Sequence, residues 1–554
     1  MKKVALLMAG LLIFPRILAA QAMDIDALLG ENWYGLYMNG QKAGYSLNRV
    51  SRDDKKRIHV VEDAKFHVSM SGTKQDMHIF SDRCYAEDGR LIEIVSEVTD
   101  PAQMSRFHAV VNGDEMVLTS TVGGNAVDKS FPRPQESLMD SLRNAHWARQ
   151  HPQVGDVVNF SVFEPLYQQE VSGISRIIDI GERVLNGVTT KVYKIRTAID
   201  LMAIDSVSCV TEHGETLEEQ IANSITMRLE PEEVAKDVTY SNDVIISNAA
   251  IVDTPIDDPR ARPALRLALR GPLGEKLLFN DDRQRMTTEG DHVDFRSRTV
   301  PMDGFTAAQL PVTDEQALRY AKPTQFIQSD HAKLIEKAKE IVGEEKDSLA
   351  VSTKLCNWVY KNVRNIYSAR LSNALEVLEH LEGDCTEHSV LFIGLARAAG
   401  LPAREVAGLI YIPGSPGGFY FHQWATVWVG RWMDVDPTFN QPQADVTHIK
   451  LVEGDLFQQA RIIPVIGNLK ISVLPNADDD VFAKPVEEKP GTAPTPAPVP
   501  APVPVSPPAA ASPAPAAPPT AAPAAPPPAP TPAPAPAPPA DPAPAPAPAP
   551  APER

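Results

Sequence analysis

Cysteine is scarce in this chain, with four residues in 554: Cys84, Cys209, Cys356 and Cys385. That density rules out a disulfide-built scaffold, which needs closely spaced pairs in a small domain. Basic residues are also in deficit. Lys and Arg number 53 against 71 Asp and Glu, for a formal net charge of −18, and no dense basic block interrupts the acidic balance. This argues against a nucleic-acid partner, because phosphate contacts need clustered Lys and Arg. Long apolar runs are missing too. The N-terminal run VALLMAGLLIF (Val4–Phe14) is well short of the ~20 residues that cross a bilayer as a helix, and no later run approaches that length.

That short run has the features of a targeting segment. Lys2 and Lys3 supply a positive start, Val4–Phe14 the apolar centre and Ala20–Ala22 an A-x-A cleavage site. The expectation is a signal peptide over residues 1–22 and an exported protein, periplasmic or secreted, with no transmembrane span after cleavage. Export would place the cysteines in an oxidising compartment, where Cys84 and Cys209 could pair. Hydrophobic residues at 43% and charged residues at 22% are enough for a sizeable core.

Between Trp33 and Ala250, short apolar-polar alternations are punctuated by Asn-Gly at Asn39-Gly40, Asn112-Gly113 and Asn186-Gly187. Asn-Gly between alternating segments is a hairpin signal, because a type I′ turn needs positive φ at both central residues. Around the third turn, Tyr193 and Ile195 should share one face, with Lys194 and Arg196 on the other. Three such hairpins predict a large antiparallel sheet, curved over the helical element QESLMDSLRNAHWARQ. The spacing of NGQKAGY and HGETLEEQ is similar to periplasmic half-barrel domains. A smaller β segment follows, with strand-like RPALRLALRG, KLLFNDDRQRMT and DHVDFRSRTV.

The period then changes to helical. HAKLIEKAKEIVG sets Leu334, Ile335, Ala338 and Ile341 on one stripe and stops at Gly343. SLAVSTKLCNWVYKNV sets Leu349, Val351, Leu355, Trp358 and Val359 together, with Cys356 at the stripe's edge as a small core hydrophobe. Gly383 permits a tight turn into Asp384-Cys385. Thr386–Ala399 should be helical, with Val390, Leu391, Leu395 and Ala398 inward, and Gly400 and Pro402 closing it. Cys385 would then sit at a helix N-terminus, whose unpaired N–H groups favour a thiolate and could also stabilise an oxyanion.

A thiol nucleophile needs a base, and the base an orienting group. Tyr420–Val429 alternates as a strand with His422, Trp424, Thr426 and Trp428 on one face, Gly430 marks the turn, and Trp432–Asp436 returns. A turn centred on residue 429 would put His422 directly opposite Asp436, with Asp434 as the alternative orienter. Other roles for Cys385 compete: a zinc ligand with His388 and His422, a disulfide with Cys356, or a structural thiol. Zinc normally takes four ligands when structural, and no second Cys/His pair lies nearby. NADDD (Asn476–Asp480) lacks the alternation of a calcium loop. Neither cofactor nor metal is expected.

GDCTEHSVLFIGLARAAGLPAREVAG followed by HQWATVWVGRWMDVDPTF resembles the core of the transglutaminase-like superfamily of papain-like thiol enzymes, in its exported bacterial form. The resemblance covers about Gln325 to His448. It implies an α+β catalytic domain in which Cys385 is the nucleophile, His422 the base and Asp436 the orienter, acting by acyl transfer on a protein or peptide substrate. The expected organisation is therefore a signal peptide (1–22), an antiparallel β domain (30–250), a small β segment (251–310), a transglutaminase-like α+β domain (311–480) and an Ala/Pro-rich tail (484–554). The tail's repeats cannot bury a core and suit extended polyproline II, as a spacer, a cell-envelope contact or a solubilising segment. The competing function is a catalytically inactive envelope scaffold that binds through the β domains and the tail.

Overall fold

The computed structural model describes residues 23–482, apart from residues 39, 71–72, 101–103, 123–124, 200–203, 222–224, 239–248, 367–371, 415–416, 463 and 476–480. The targeting segment, NADDD and the Ala/Pro tail therefore lie outside the described residues.

The hairpins form at the expected places. Leu185 pairs with Val188, leaving Asn186 (φ 49°) and Gly187 (φ 81°) as the two turn residues. Both lie in the left-handed region that a type I′ turn demands. Met38 likewise pairs with Gln41. At the second site the loop moves along by one, because Asn112 pairs with Glu115 and the turn is Gly113-Asp114. Eight antiparallel strands run from Gly30–Met38 to Asn125–Pro132, and six more from Val157–Glu164 to Ile225–Leu229. The last returns to pair with the first, Leu229 opposite Tyr34, which makes one fourteen-stranded sheet. Its two edges approach each other where Phe131 meets Phe163 edge-on, 5.3 Å between ring centres.

Two short helices, Leu138–Ser141 and Arg143–Ala148, lie inside this curve. Leu138 and Leu142 pack with Tyr85, Phe107, Met116 and Leu118, while Trp147 packs with Tyr193 and Ile195. Lys194 and Arg196 face out, as alternation requires. The buried Glu136 carboxylate ties the helical insert to the sheet, accepting from Arg83 Nη1 (2.8 and 2.9 Å), Phe163 N–H (2.7 Å) and the Tyr85 hydroxyl. All four cysteines are free thiols. Cys84 and Cys209 do not pair because five strands of the same sheet separate theirs, far beyond the 4.4–6.8 Å Cα spacing of a disulfide.

The smaller β segment supplies three strands, Ala264–Arg270, Gln284–Glu289 and His292–Arg298, and is completed by Lys470–Leu474 from far along the chain, with Leu267 opposite Val473. Between these ends come helices Ala332–Val342, Ser348–Asn362, Ala374–His380 and Cys385–Ala398, then strands Ala403–Ile412, Gly418–Trp428, Trp432–Val435 and His448–Glu453. One apolar core joins the helices to the strands through Leu355, Val359, Leu391, Leu395, Ala425 and Val427. A second joins Leu409, Phe419 and Ile449 to Leu267 and Phe295 of the four-stranded sheet. On the first helix the inward stripe is Leu334, Ala338 and Val342. Ile335, expected inward, is 45% exposed because it sits about 100° round from Leu334.

A buried ion cluster joins the two sheets. Lys450, 1% exposed, places its ammonium 2.9 Å from Asp281, 2.7 Å from Asp434 and 2.9 Å from Glu453. Burial alone would lower its affinity for a proton, but the three carboxylates reverse that and hold it charged. Replacing Lys450 with Met leaves these carboxylates buried without their shared cation. The expected loss is about 3 kcal/mol of stability, read from urea unfolding midpoints; a loss below about 1 kcal/mol would show that the cluster does not hold the sheets together.

Candidate active site

The chain enters the site through Gly383, at φ 155°, where an added Cβ would stand 2.2 Å from the Glu387 Cβ. Asp384 caps the next helix, accepting from the Thr386 N–H at 2.8 Å, while Glu387 reaches back to accept from the Asp384 N–H at 2.9 Å. This reciprocal capping box begins the helix at Cys385, one residue earlier than expected. Ser389 then fastens the helix to the neighbouring strand. Its hydroxyl lies 2.7 Å from the Cys385 carbonyl and 3.0 Å from the Gln423 carbonyl. The cysteine is thereby held beside Gln423, the residue that follows His422 in the strand.

His422 is 3% exposed, its ring stacked on Trp424 at 5.9 Å and flanked by Phe439 at 5.4 Å. Its Nε2 lies 2.9 Å from Asp436 Oδ2, which leaves Nδ1 as the nitrogen available to the thiol. The pairing register differs from the expected one. Thr426 opposes Asp434 and Trp428 opposes Trp432, so the hairpin turns about Gly430 and Asp436 lies diagonal to His422. Parity is preserved by this two-residue shift, and a diagonal pair remains within reach of an imidazole and a carboxylate. Asp434 is not an orienter. It is paired with Lys450 and with Arg283 at 3.2 Å; burial would raise its carboxyl, but these two cations hold it down to about 2.

Asp436 is fully buried. Its Oδ1 accepts from the N–H groups of Thr438 (2.8 Å) and Phe439 (3.2 Å) in the Asp-Pro-Thr turn. Burial alone would favour its neutral form, but His422 and His448 outweigh it and hold the carboxyl far below the usual range. His448 is the residue that sequence reasoning missed. Its Nε2 stands 3.0 Å from Asp436 Oδ2, and its Nδ1 faces Asp445. The only signal in the sequence was Asp-x-x-His after Asp-Pro-Thr, which carries no meaning until the strands are paired.

The Cys385 thiol does not behave as its position predicts. Burial pushes it well up, and the Asp384 carboxylate adds to this; a backbone contact from Gln423 works in the opposite direction, and Glu387 and Asp436 raise it further. Desolvation and the Asp384 carboxylate thus oppose the thiolate that the helix end favours. Cys356 is wholly buried, its Sγ 3.6 Å from the Asp436 carbonyl oxygen, and is not bonded to Cys385. His388 is also buried, with Nδ1 2.7 Å from the Asp384 carbonyl. Among the described residues, Cys385, His388 and His422 do not converge as ligands; His422, Asp436 and His448 do, within 4.8 Å. The two imidazole–carboxylate separations of 2.9 and 3.0 Å are hydrogen-bond lengths, shorter than the ~3.3 Å between tetrahedral ligands about 2.0–2.1 Å from zinc.

Residues 335–437 match the family model of the transglutaminase-like superfamily. The chain carries a transglutaminase-like domain. A curated relative, an uncharacterised protein of Haemophilus influenzae, is 32% identical over 149 residues, which is 24% of this chain; the chain spans 40% of that relative's length. Among solved structures, a candidate cysteine protease from Cytophaga hutchinsonii is 16% identical, with a TM-score of 0.28, over 39% of this chain and 88% of that one. A beta-barrel-like protein of a domain of unknown function from Brucella abortus is 10% identical, with a TM-score of 0.30, over 36% of this chain and 94% of that one.

Glu387 offers a stability test of this environment. The group is 1% exposed, and burial followed by the Asp384 carboxylate pushes its carboxyl up to about 8. A carboxyl raised on folding contributes stability fully present below its unfolded value of about 4.5 and lost as pH rises toward 8. Glu387→Gln keeps the capping acceptor and removes the titration. Relative to wild type it should therefore gain about 3 kcal/mol of stability between pH 5 and pH 8, measured by urea unfolding at both pH values. Parallel stability curves would refute the buried acid.

Proposed function

We propose that this protein is an exported thiol enzyme that performs acyl transfer on amide or peptide substrates, with Cys385 as nucleophile, His422 as general base and Asp436 as orienter. The observation that carries the reading is the bond from His422 Nε2 to the buried Asp436, with a helix-end cysteine fastened beside the same strand. Asp436 fixes the tautomer with the proton on Nε2, which makes Nδ1 the acceptor for the thiol proton.

As the sulfur attacks the amide carbonyl carbon, Nδ1 takes the thiol proton and negative charge develops on the carbonyl oxygen. The Thr386 N–H is committed to Asp384, so the Cys385 N–H is the first-turn donor suited to that oxyanion. Collapse breaks the carbon–nitrogen bond, His422 returns the proton to the departing amine, and a thioester stays on Cys385. Water or a second amine, deprotonated by His422, then releases the acyl group as an acid or a new amide. The upward shift of the thiol is in keeping with proton transfer during attack rather than before it.

The raised thiol also suits a second reading, a non-catalytic envelope scaffold. A combined amine-incorporation and peptide-cleavage screen separates the two. The wild type should turn over at least one amide class, Cys385→Ala should abolish that turnover, and Asp436→Asn should lower kcat by about 10²–10⁴-fold. Turnover equal in wild type and Cys385→Ala, or absent from the folded wild type across both assays, would favour the scaffold.

A further inference from the structure

Asp436 serves two imidazoles through one oxygen. His422 Nε2 lies 2.9 Å and His448 Nε2 3.0 Å from Oδ2. On the other edge of the His448 ring, Nδ1 stands 3.3 Å from both Asp445 Oδ1 and the Asp445 carbonyl oxygen. Both ring nitrogens of His448 therefore face acceptors. A neutral imidazole has one N–H and would turn its remaining lone pair toward a carboxylate or carbonyl. His448 is completely buried, so bulk water cannot relieve that clash. Two N–H donors satisfy the geometry, and they make the ring an imidazolium.

We propose that His448 is a built-in cationic counter-ion to Asp436 that opposes formation of a thiolate–imidazolium pair by Cys385 and His422. It would be a charge-setting, positioning residue rather than a catalytic one, and the proposal rests on the reading of Cys385 and His422 as nucleophile and base.

The surroundings support this charge state. Asp436 faces His448 from the end of the return strand, and Asp445 from the following loop. Asp445 is itself anchored by Thr447, Gln441 and Arg260. From the small β segment the Arg283 guanidinium holds the His448 carbonyl oxygen at 2.6 Å, and the edge of the Trp424 ring contacts the imidazole from the His422 strand, 5.1 Å between ring centres. Burial disfavours the His448 cation, but the two carboxylates outweigh it and raise the group. The His422 ring centre is 5.9 Å away.

Protonating His422 would thus place a second cation beside the first, with one shared carboxylate oxygen between them. Like charges at that spacing repel even at an effective dielectric near 20. Any attraction of a Cys385 thiolate to the His448 cation cancels part of this. Removing the His448 charge should therefore make the thiolate–imidazolium pair easier to form, a direction opposite to simple damage of the site.

The test is the pH dependence of iodoacetamide alkylation at Cys385, read by peptide mass mapping on the full chain, for wild type, His448→Gln, His448→Lys and Asp445→Asn. His448→Gln should lower the alkylation midpoint by about one pH unit, giving about ten-fold faster labelling at pH 6. His448→Lys, which keeps a cation, should follow wild type, and Asp445→Asn should shift the midpoint in the same direction by less. Glu387, Asp384 and Asp436 are unchanged in all four proteins, so their own titration is common to the comparison. A midpoint unchanged or raised in folded His448→Gln would overturn the proposal. Should that variant not fold, an unmoved midpoint in Asp445→Asn would overturn it instead. If Cys385 is labelled but its midpoint ignores these substitutions, only the counter-ion role fails. A wild-type Cys385 that resists labelling at every pH while the protein is folded removes the nucleophile reading, and the proposal with it.

Discussion

The Asp436 carboxylate has no access to water and accepts four hydrogen bonds from the protein, two from imidazoles and two from backbone N–H groups of its own turn. A buried carboxylate is tolerated only when it is fully partnered, so the elements around it must arrive together. The His422 strand brings one imidazole and the His448 strand the other. The Asp436 backbone is tied to Gln441 in both directions, and the helix carrying Cys356 closes on its carbonyl. The Lys450 cluster and Arg283 extend the same polar interior to the four-stranded sheet. That sheet is therefore a part of what holds the site, although its strands come from either side of the transglutaminase-like region.

The resting chemistry follows from the balance of charge at this point. The helix end favours a thiolate by a modest electrostatic term, typically below about 1 kcal/mol at exposed positions. Against it stand desolvation and the carboxyl groups of Asp384 and Glu387, both needed for the capping box that starts the helix. The features that place Cys385 thus also oppose its ionisation, and in the proposed chemistry His422 removes the thiol proton.

The positions of the chemically important residues were legible because they rest on local rules. Gly383, the Asp-Cys helix start and the Gly400 stop are punctuation, and Asn-Gly pairs with alternating flanks announce hairpins. The face shared by His422 and Asp436 followed from parity, which survived the error in turn position. Pairwise detail was not legible. Whether Asp436 lay opposite or diagonal to His422 depended on one residue in the turn, and Ile335 was misplaced because its helix is covered only along Leu334, Ala338 and Val342, a width set by its neighbours. The strand Lys470–Leu474, the Ser389 staple and the second imidazole on Asp436 all depend on contacts between distant segments. Local periodicity contains no information about those contacts. The direction of the thiol's shift was missed for a related reason, since burial is set by packing rather than by position in a helix.

The proposed chemistry requires a covalent thioester on Cys385. The most direct measurement is acid-quench intact mass and peptide mapping of the full chain, taken during turnover of an amide substrate found by screening. An acyl adduct located on Cys385, absent from Cys385→Ala and released by hydroxylamine, is the predicted result. Steady turnover of that substrate with no adduct on Cys385, or with turnover unchanged in Cys385→Ala, would contradict it.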